Sequence, residues 1–192
     1  MKISSFYAML SRMKHIVRWG LMRNTRTENL SEHSLETAFI AHALCKINNV
    51  RLGGNLNGDR AAVLAMFHDT TEIITGDMPT PIKYNNPEIK AAYKEIESTA
   101  AKSLISMLPE DMQKEYATLY YPEDENLKKI VHAADKISAL IKCIEERNMG
   151  NREFAIAEKS NLKAIKALKM PEVDIFLKEY LDSYGLTLDE QK

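Results

Sequence analysis

Apolar residues recur along most of the chain at spacings of three and four, the period of a helix with one buried face. No run alternates apolar and polar residues as a half-buried strand would. The pattern therefore predicts an all-α protein, a single helical bundle over residues 1–192. The expected helices are 6–17, 30–44, 59–73, 87–108, a short one after 109, then 127–147, 151–170 and 171–183.

Helix ends are indicated by capping residues. Asn29 precedes the second helix, and Glu32, three residues on, completes a capping-box pattern. Asp59 is the expected cap of the third helix, and Gly76 is placed to end it. Residues 77–81 include two prolines, which lack a backbone donor and restrict the preceding residue. We therefore expect the helical pattern to be interrupted there.

Charge is balanced over the whole chain but not along it. The formal net charge is −1, which argues against a protein that wraps nucleic acid or binds membrane surfaces. Residues 1–27 nevertheless contain no acid and six basic residues: Lys2, Arg12, Lys14, Arg18, Arg23 and Arg26. Such a local basic surface suits a phosphate-bearing ligand.

The remaining composition favours a cytoplasmic protein with reduced thiols. Cys45 and Cys143 have no spacing typical of a zinc site or a disulfide framework, so we expect two buried free thiols. The first residues do not have the pattern of a signal peptide. No apolar run approaches the ~20 residues needed to span a bilayer. We expect neither membrane nor nucleic-acid partners.

Four ligand-type side chains lie within apolar helical patterns. His33 shares a helix face with Thr37, His68-Asp69 follows an apolar run, and Asp135 lies alone in the long helix. A buried carboxylate without a partner carries a large desolvation penalty, which a bound cation removes. Two imidazoles and two carboxylates suit a divalent ion such as Mn, Co, Fe, Ni or Zn. Facing helices of a bundle commonly build such a centre.

Glu72 is a further candidate because it follows His68 by four residues and Asp69 by three. On one helix these spacings would place it on their surface. A carboxylate there could orient or deprotonate a water, or pass a proton to a leaving oxygen. Each residue taken alone has a structural explanation, as a packed histidine or a solvated acid. The combination His33, His68-Asp69, Glu72 and Asp135 is what indicates chemistry.

These residues resemble the signature of the HD-domain metal-dependent phosphohydrolases. Further blocks resemble a narrower group, the bacterial 5′-deoxynucleotidases of the YfbR type, over nearly the whole chain. The blocks are Arg18-Trp19, 27–34, His68-Asp69 with Glu72, 76–84, 142–146 and 186–190.

The resemblance implies an HD-type helical bundle, a homodimer, and a divalent metal cofactor such as Co or Mn. The implied metal ligands are His33, His68, Asp69 and Asp135. The implied reaction is hydrolysis of 2′-deoxyribonucleoside 5′-monophosphates to deoxynucleoside and phosphate through a metal-activated water. Glu72 corresponds to the catalytic carboxylate, Arg18 and Trp19 to phosphate and sugar contacts, and Asp77 with Thr80 to the substrate-binding turn. Asp77 could also help to protonate the leaving oxygen.

The residue types are consistent with these roles. The guanidinium of Arg18 offers a fixed fork of donors to a phosphate. Trp19, a rigid plane, could close the space of a 2′-hydroxyl, although an apolar wall alone discriminates only ~10²-fold. Two alternatives stay open. One is an HD phosphohydrolase acting on a dNTP, a cyclic nucleotide or an alarmone. The other is a non-catalytic nucleotide- or nucleic-acid-binding module that uses the basic N-terminal surface.

Overall fold

A computed structural model describes residues 3–83 and 86–191, apart from the side chains of Thr80 and Pro81. Its described part is helical and has no strand; one isolated antiparallel bridge joins Val17 to Asn29. The α-helices are α1 Phe6–Leu10, α2 Leu30–Arg51, α3 Gly58–Phe67, α4 Glu72–Thr75, α5 Thr80–Lys83, α6 Pro87–Ile105, α7 Glu110–Tyr120, α8 Glu125–Asn148, α9 Ala155–Ala167 and α10 Pro171–Tyr180. The predicted all-α class is confirmed.

The core lies between α2, α3 and α8, with α10 closing one side. Apolar residues at helical spacing along the long helix predict a buried stripe, and the structure confirms it for Ile130, Ala134, Ile137, Ile141 and Ile144. Burial of aliphatic side chains contributes roughly 1.5–3 kcal/mol each, so this stripe holds α8 at the centre of the bundle. Asp135, which follows Ala134, is thereby carried to the edge of the core.

The start of α2 is capped as predicted. The Asn29 side chain accepts hydrogen bonds from the backbone N–H groups of Ser31 and Glu32, and Glu32 accepts one from the Asn29 N–H. The prediction for α3 is wrong, because Asn57 rather than Asp59 caps it by accepting from the Arg60 N–H. Asp59 lies in the first turn instead, where its charge still complements the helix dipole.

Helical spacing along α2 marks Leu35, Phe39 and Leu44 as apolar positions of one expected stripe, and the structure buries only Leu44 of the three. Leu35 and Phe39 are exposed by 49% and 67%, whereas His33, Thr37 and Leu44 are buried. The helix has two apolar stripes, and the one that includes polar His33 and Thr37 packs inward. In α3, the apolar positions Val63 and Met66 have the helical spacing expected of a buried face but are exposed. Their neighbours Leu64 and Ala65 are buried instead.

Several predicted helix bounds differ from the structure. The second helix extends to Arg51 rather than 44, and α8 runs from Glu125 to Asn148 rather than from 127 to 147. The first helix ends at Leu10 and continues as a 3-10 helix, Ser11–His15, after which Val17 is extended. The fourth ends at Ile105 rather than 108. Residues predicted as the ends of the last two helices form 3-10 turns, Arg152–Phe154 before α9 and Leu181–Gly185 after α10.

The predicted third helix is interrupted. It ends at Phe67, residues 68–71 form a turn, and α4 follows from Glu72 until Gly76. Gly76 has φ 74°, a conformation that glycine adopts at no steric cost, so its predicted role as terminator is confirmed. The proline-rich segment does interrupt the helix, but a new short helix, α5, begins within it at Thr80.

Both thiols are buried and free, as predicted. Burial raises the pKa of the Cys45 thiol to about 11 and that of Cys143 to about 12. Since the thiolate is the reactive form, we expect Ellman's reagent near pH ~8 to label neither thiol in the folded protein and both after denaturation. Rapid labelling of either thiol in the native protein would contradict the packing of α2 or α8. Among the described helices, none has the length and apolar character needed to cross a bilayer.

Candidate active site

The four predicted ligand residues meet at one point of the bundle. One ligand atom each from His33, His68, Asp69 and Asp135 lies within 4.8 Å of the others. Nε2 of His33 is 3.5 Å from Oδ2 of Asp69 and 3.3 Å from Oδ1 of Asp135. Nε2 of His68 is 3.1 Å from the same Asp69 oxygen. The ligands come from α2, from the turn after α3, and from α8, so three separate parts of the chain build the cluster.

The turn 68–71 explains how two neighbouring residues reach the same centre. On a regular helix His68 and Asp69 would point ~100° apart. The expectation that both lie within a helix is wrong: α3 ends before them, and the Thr70 N–H donates to the Phe67 carbonyl in a tighter turn. Glu72 accordingly begins α4 rather than sharing a helix with them. The end of α3 at Phe67 therefore lets the side chains of His68 and Asp69 point to the same centre.

Hydrogen bonds orient both imidazoles toward the centre. Nδ1 of His68 donates to the Ala65 carbonyl at 2.7 Å. Nδ1 of His33 is 3.0 Å from the Ser138 hydroxyl, which donates its own proton to Glu36 at 2.5 Å and so accepts from His33. Both Nε2 atoms are buried and have no hydrogen-bond partner in the described part of the chain. Two aimed nitrogen lone pairs beside two carboxylates form a fitting donor set for a divalent ion.

The electrostatics of the cluster also favour a cation. Burial alone would lower the pKa of His68, but Asp69 and Asp135 raise it to about 9. Burial alone would raise the pKa of Asp69, but the neighbouring His68 and His33 hold it well below its usual range. The pKa of Asp135 is lowered as well, so both carboxylates stay ionised beside the positively charged ring of His68. Metal binding at His68 Nε2 requires loss of the proton that the raised pKa keeps on this ring.

A cavity of about 530 Å³ adjoins the cluster. Its size suits a small-molecule ligand. It is lined by metal-cluster residues Asp69 and Asp135, by predicted site residues, and by residues of α9. The lining includes Arg18, Trp19, Glu72, Asp77, Met78, Lys83, Lys136, Ile156, Ser160 and Asn161.

Arg18 links the cavity to the cluster. It is buried, and its Nε donates to Glu28 at 3.1 Å while Nη1 lies 3.4 Å from Asp69. Burial by itself lowers its pKa, but Asp69, Glu28 and further carboxylates outweigh that effect, so the pKa is raised. Arg18 is one of three basic residues in the described lining of the cavity, together with Lys83 and Lys136. Two other basic residues of the N-terminal segment form ion pairs, Arg23 with Glu153 and Arg26 with Glu32. Lys2 lies outside the described residues.

Glu72 is a buried carboxyl beside the same cavity. Its Oε2 is buried and has no hydrogen-bond partner among the described residues, and its Oε1 is 4.0 Å from Lys83 Nζ. Burial, followed by the charges of Asp69 and Asp77, raises the Glu72 pKa to about 9. In the metal-free protein this carboxyl therefore holds a proton at neutral pH, as a general acid must.

Trp19 and Asp77 contact each other at the cavity wall. The Trp19 backbone N–H donates to Asp77 Oδ2 at 3.3 Å, and the indole packs against Phe154 with ring centroids 5.3 Å apart. The predicted substrate residue Thr80 begins α5, but its side chain lies outside the described residues.

Three charged residues at the site were not assigned roles from the sequence. Lys83 lies above the Tyr93 ring and pairs with Glu97, Lys136 Nζ is 3.3 Å from Asp135, and Glu28 contacts Arg18. Lys83 and Glu28 are within blocks that carried the family resemblance, which was the only signal available. Lys136 follows a predicted ligand directly.

A helical bundle with two histidines and two aspartates at one centre is characteristic of the HD phosphohydrolases, and this chain has that arrangement. The structure is similar to an HD-domain phosphohydrolase from Listeria innocua, with a TM-score of 0.82, 26% identity, and coverage of 94% of this chain and 88% of that one. A cyanophage S-2L HD phosphohydrolase, bound to dA and one catalytic Zn²⁺, shares the fold with a TM-score of 0.69, 20% identity, and coverage of 95% and 99%.

The sequence comparisons narrow the class. A family model described as 5′-deoxynucleotidase YfbR-like matches residues 5–184. A 5′-deoxynucleotidase of Photobacterium profundum is 51% identical over 192 residues, covering 99% of both chains. The chain belongs to the YfbR-like 5′-deoxynucleotidase family.

Proposed function

We propose that the protein hydrolyses 2′-deoxyribonucleoside 5′-monophosphates to the deoxynucleoside and inorganic phosphate. The observation that carries this proposal is the convergence of His33, His68, Asp69 and Asp135 beside a cavity that also holds Arg18. The activity named for the half-identical relative, a 5′-deoxynucleotidase, supports the same reaction. The protein is thus a phosphoric monoester hydrolase.

A divalent cation, Co, Mn or a similar ion, is the proposed cofactor. His33 and His68 would bind it through their unpartnered Nε2 atoms, and Asp69 and Asp135 through carboxylate oxygens. When bound, such an ion supplies activation of water and neutralisation of phosphoryl charge.

The chain's own residues position the substrate. Arg18 holds the phosphate, since its planar fork matches two phosphoryl oxygens at once. Trp19 lies beside the deoxyribose and occupies the space of a 2′-hydroxyl. Asp77 and Thr80 contact the sugar side. Fixing the phosphate relative to the attacking water removes much of the entropic barrier.

Glu72 is the proposed proton-transfer group. Its protonated form at neutral pH can donate to the leaving 5′-oxygen, which departs as an alkoxide unless it is protonated. Asp77, which also lines the cavity, is the other candidate for this role; burial raises its pKa, although Arg18 opposes this. Asp77 accepts a hydrogen bond from the Trp19 N–H. This contact favours the ionised carboxylate and fixes Trp19 at the cavity wall, so it does not favour Asp77 as a proton donor. We therefore assign the proton to Glu72.

Release of phosphate from nucleotides tests the proposed function. Purified protein with Mn²⁺ or Co²⁺ is given dAMP, AMP, 3′-dAMP and dATP, and phosphate is followed. We expect hydrolysis of dAMP, slower hydrolysis of AMP, and none of 3′-dAMP. Release of pyrophosphate or triphosphate from dATP would support the alternative nucleotide substrates instead. Inactivity with every metal, together with tight binding of oligonucleotides, would contradict the proposed enzymatic function and support a non-catalytic binding module.

The remaining proposals concern context. We propose a single-domain protein over residues 1–192 that acts as a homodimer in the cytoplasm. Its partner is the small nucleotide, and neither nucleic acid nor membrane is required.

Ser138 offers a test of the proposed metal centre. Ser138→Ala removes the acceptor that orients His33, so Nδ1 loses its partner and the ring loses its fixed direction. Loss of such an outer hydrogen bond typically costs about 10–100-fold in metal affinity. We expect that loss when Mn²⁺ is titrated calorimetrically into the metal-free protein. Ser106→Ala, which removes an exposed hydroxyl that donates to the Ser103 carbonyl at the end of α6, is the control. Equal affinities for the two variants would exclude the orienting role.

A further inference from the structure

One buried carboxylate contacts both residues proposed to hold the phosphate and the sugar. Oε2 of Glu28 accepts from Nε of Arg18 at 3.1 Å and from Nε1 of Trp19 at 2.9 Å. Glu28 is only 7% exposed. Because a single oxygen receives both donors, neither the guanidinium nor the indole can shift without disturbing the contact of the other.

The backbone at Trp19 makes this contact more demanding. Trp19 has φ 59°, in the left-handed region that bulky residues rarely adopt. Such a conformation persists only where the surroundings fix it. Here Asp77 accepts from the Trp19 N–H, and the Asn24 side chain donates to the Trp19 carbonyl. Glu28 adds the one hydrogen bond to the indole itself, which sets the direction of the ring.

The segment that carries Glu28 is itself held in place. The Arg18 N–H donates to the Glu28 carbonyl at 3.0 Å, and Leu30 donates to Ile16 at 2.9 Å. Farther along, the buried carboxylate of Glu146 accepts from the backbone and hydroxyl of Thr25 at 2.9 and 2.7 Å. Glu28 therefore acts from a fixed position rather than following its partners.

We propose that Glu28 is a positioning and specificity-determining residue that sets the phosphate-binding guanidinium and the sugar-facing indole in one geometry. This inference rests on the proposed roles of Arg18 and Trp19. A carboxylate that only compensated the buried charge of Arg18 would support folding and phosphate binding equally for ribose and deoxyribose substrates. A positioning carboxylate also controls the discrimination between them, because the wall excludes a 2′-hydroxyl only if it is fixed.

The chain contains one tryptophan, so fluorescence excited at the long-wavelength edge, where its tyrosines do not absorb, reports Trp19 alone. Glu28→Gln keeps the shape of the side chain but removes the charge that both donors share. We expect the acrylamide quenching constant of the metal-free protein to rise about twofold, because the ring opens locally to solvent. Glu179→Gln is the matched control, since Glu179 also pairs with an arginine, Arg51, at 2.6 Å on the surface. It should leave the quenching unchanged.

Kinetics give the second readout. In Glu28→Gln we expect kcat/KM for dAMP to fall about 10–100-fold, as charge-assisted hydrogen bonds are lost, and the dAMP-to-AMP ratio to fall about tenfold. Trp19→Phe removes the N–H donor and keeps a ring, so it tests the same contact from the other side. It should lower the ratio similarly, even if Glu28→Gln does not fold.

Wild-type quenching together with a wild-type dAMP-to-AMP ratio in Glu28→Gln would overturn the proposal. So would an unchanged ratio in Trp19→Phe. Failure of the proposed function is seen separately, as a wild-type protein that does not hydrolyse dAMP. In that case the fluorescence comparison still decides whether Glu28 holds the indole.

Discussion

Glu72→Ala is expected to reduce kcat for dAMP by about 10²–10⁴-fold while nucleotide binding is retained. The carboxyl lies in the cavity wall, and burial with the nearby Asp69 and Asp77 raises its pKa to about 9. In the metal-free protein it therefore holds a proton near neutral pH, and we propose that this group supplies the proton to the leaving oxygen. Arg18 and the four clustered residues, which we propose bind the phosphate and the metal, are unchanged in this variant. Single-turnover kinetics and calorimetry with dAMP measure the two effects separately.

Two further variants sharpen this expectation. Glu72→Gln keeps the size of the side chain but has no carboxyl proton to donate, so it should be as inactive as Glu72→Ala. Glu95→Ala, which removes an exposed glutamate of α6, should retain full turnover. Activity of Glu72→Gln within tenfold of the wild type would remove Glu72 from proton transfer.

Asp69→Asn is expected to abolish both metal binding and turnover. Oδ2 of Asp69 lies close to three nitrogen atoms, at 3.1 Å from His68 Nε2, 3.5 Å from His33 Nε2 and 3.4 Å from Arg18 Nη1. An amide replaces a charged ligand with a neutral one and leaves Arg18 without this partner. We expect Mn²⁺ affinity to fall by more than about 100-fold, beyond the loss typical of an outer hydrogen-bond partner.

The chain provides a control for that substitution. Asp59 also lies beside a histidine, with Oδ1 3.7 Å from His42 Nε2, but its side chain is 90% exposed. Asp59→Asn should change neither metal affinity nor kcat. Metal affinity in Asp69→Asn equal to that in Asp59→Asn would show that the ion binds elsewhere.

The sequence predicted those parts of the fold that local chemistry determines. The stripe of α8 follows from the helical period, and the capping box at Asn29 follows from two side chains three residues apart. The proposed ligand residues His33 and Asp135 were also recognisable, because each interrupts an apolar pattern and both lie within helices that the sequence predicts.

The remaining features depend on tertiary packing. In α2 the sequence offers two apolar stripes, and only contact with α3 and α8 selects the face that includes His33 and Thr37. The break after Phe67 has no proline or glycine at 68–71 to announce it. Glu28 was not recognised because its two partners become neighbours only when the segment after Trp19 folds back, through the bridge between Val17 and Asn29.

Anomalous diffraction from a crystal grown with Mn²⁺ tests the central claim most directly. The account predicts one strong peak enclosed by His33 Nε2, His68 Nε2 and oxygens of Asp69 and Asp135, at ligand distances of about 2.0–2.3 Å. A well-ordered crystal without a peak at that point, or with the ion bound at other residues, would contradict it.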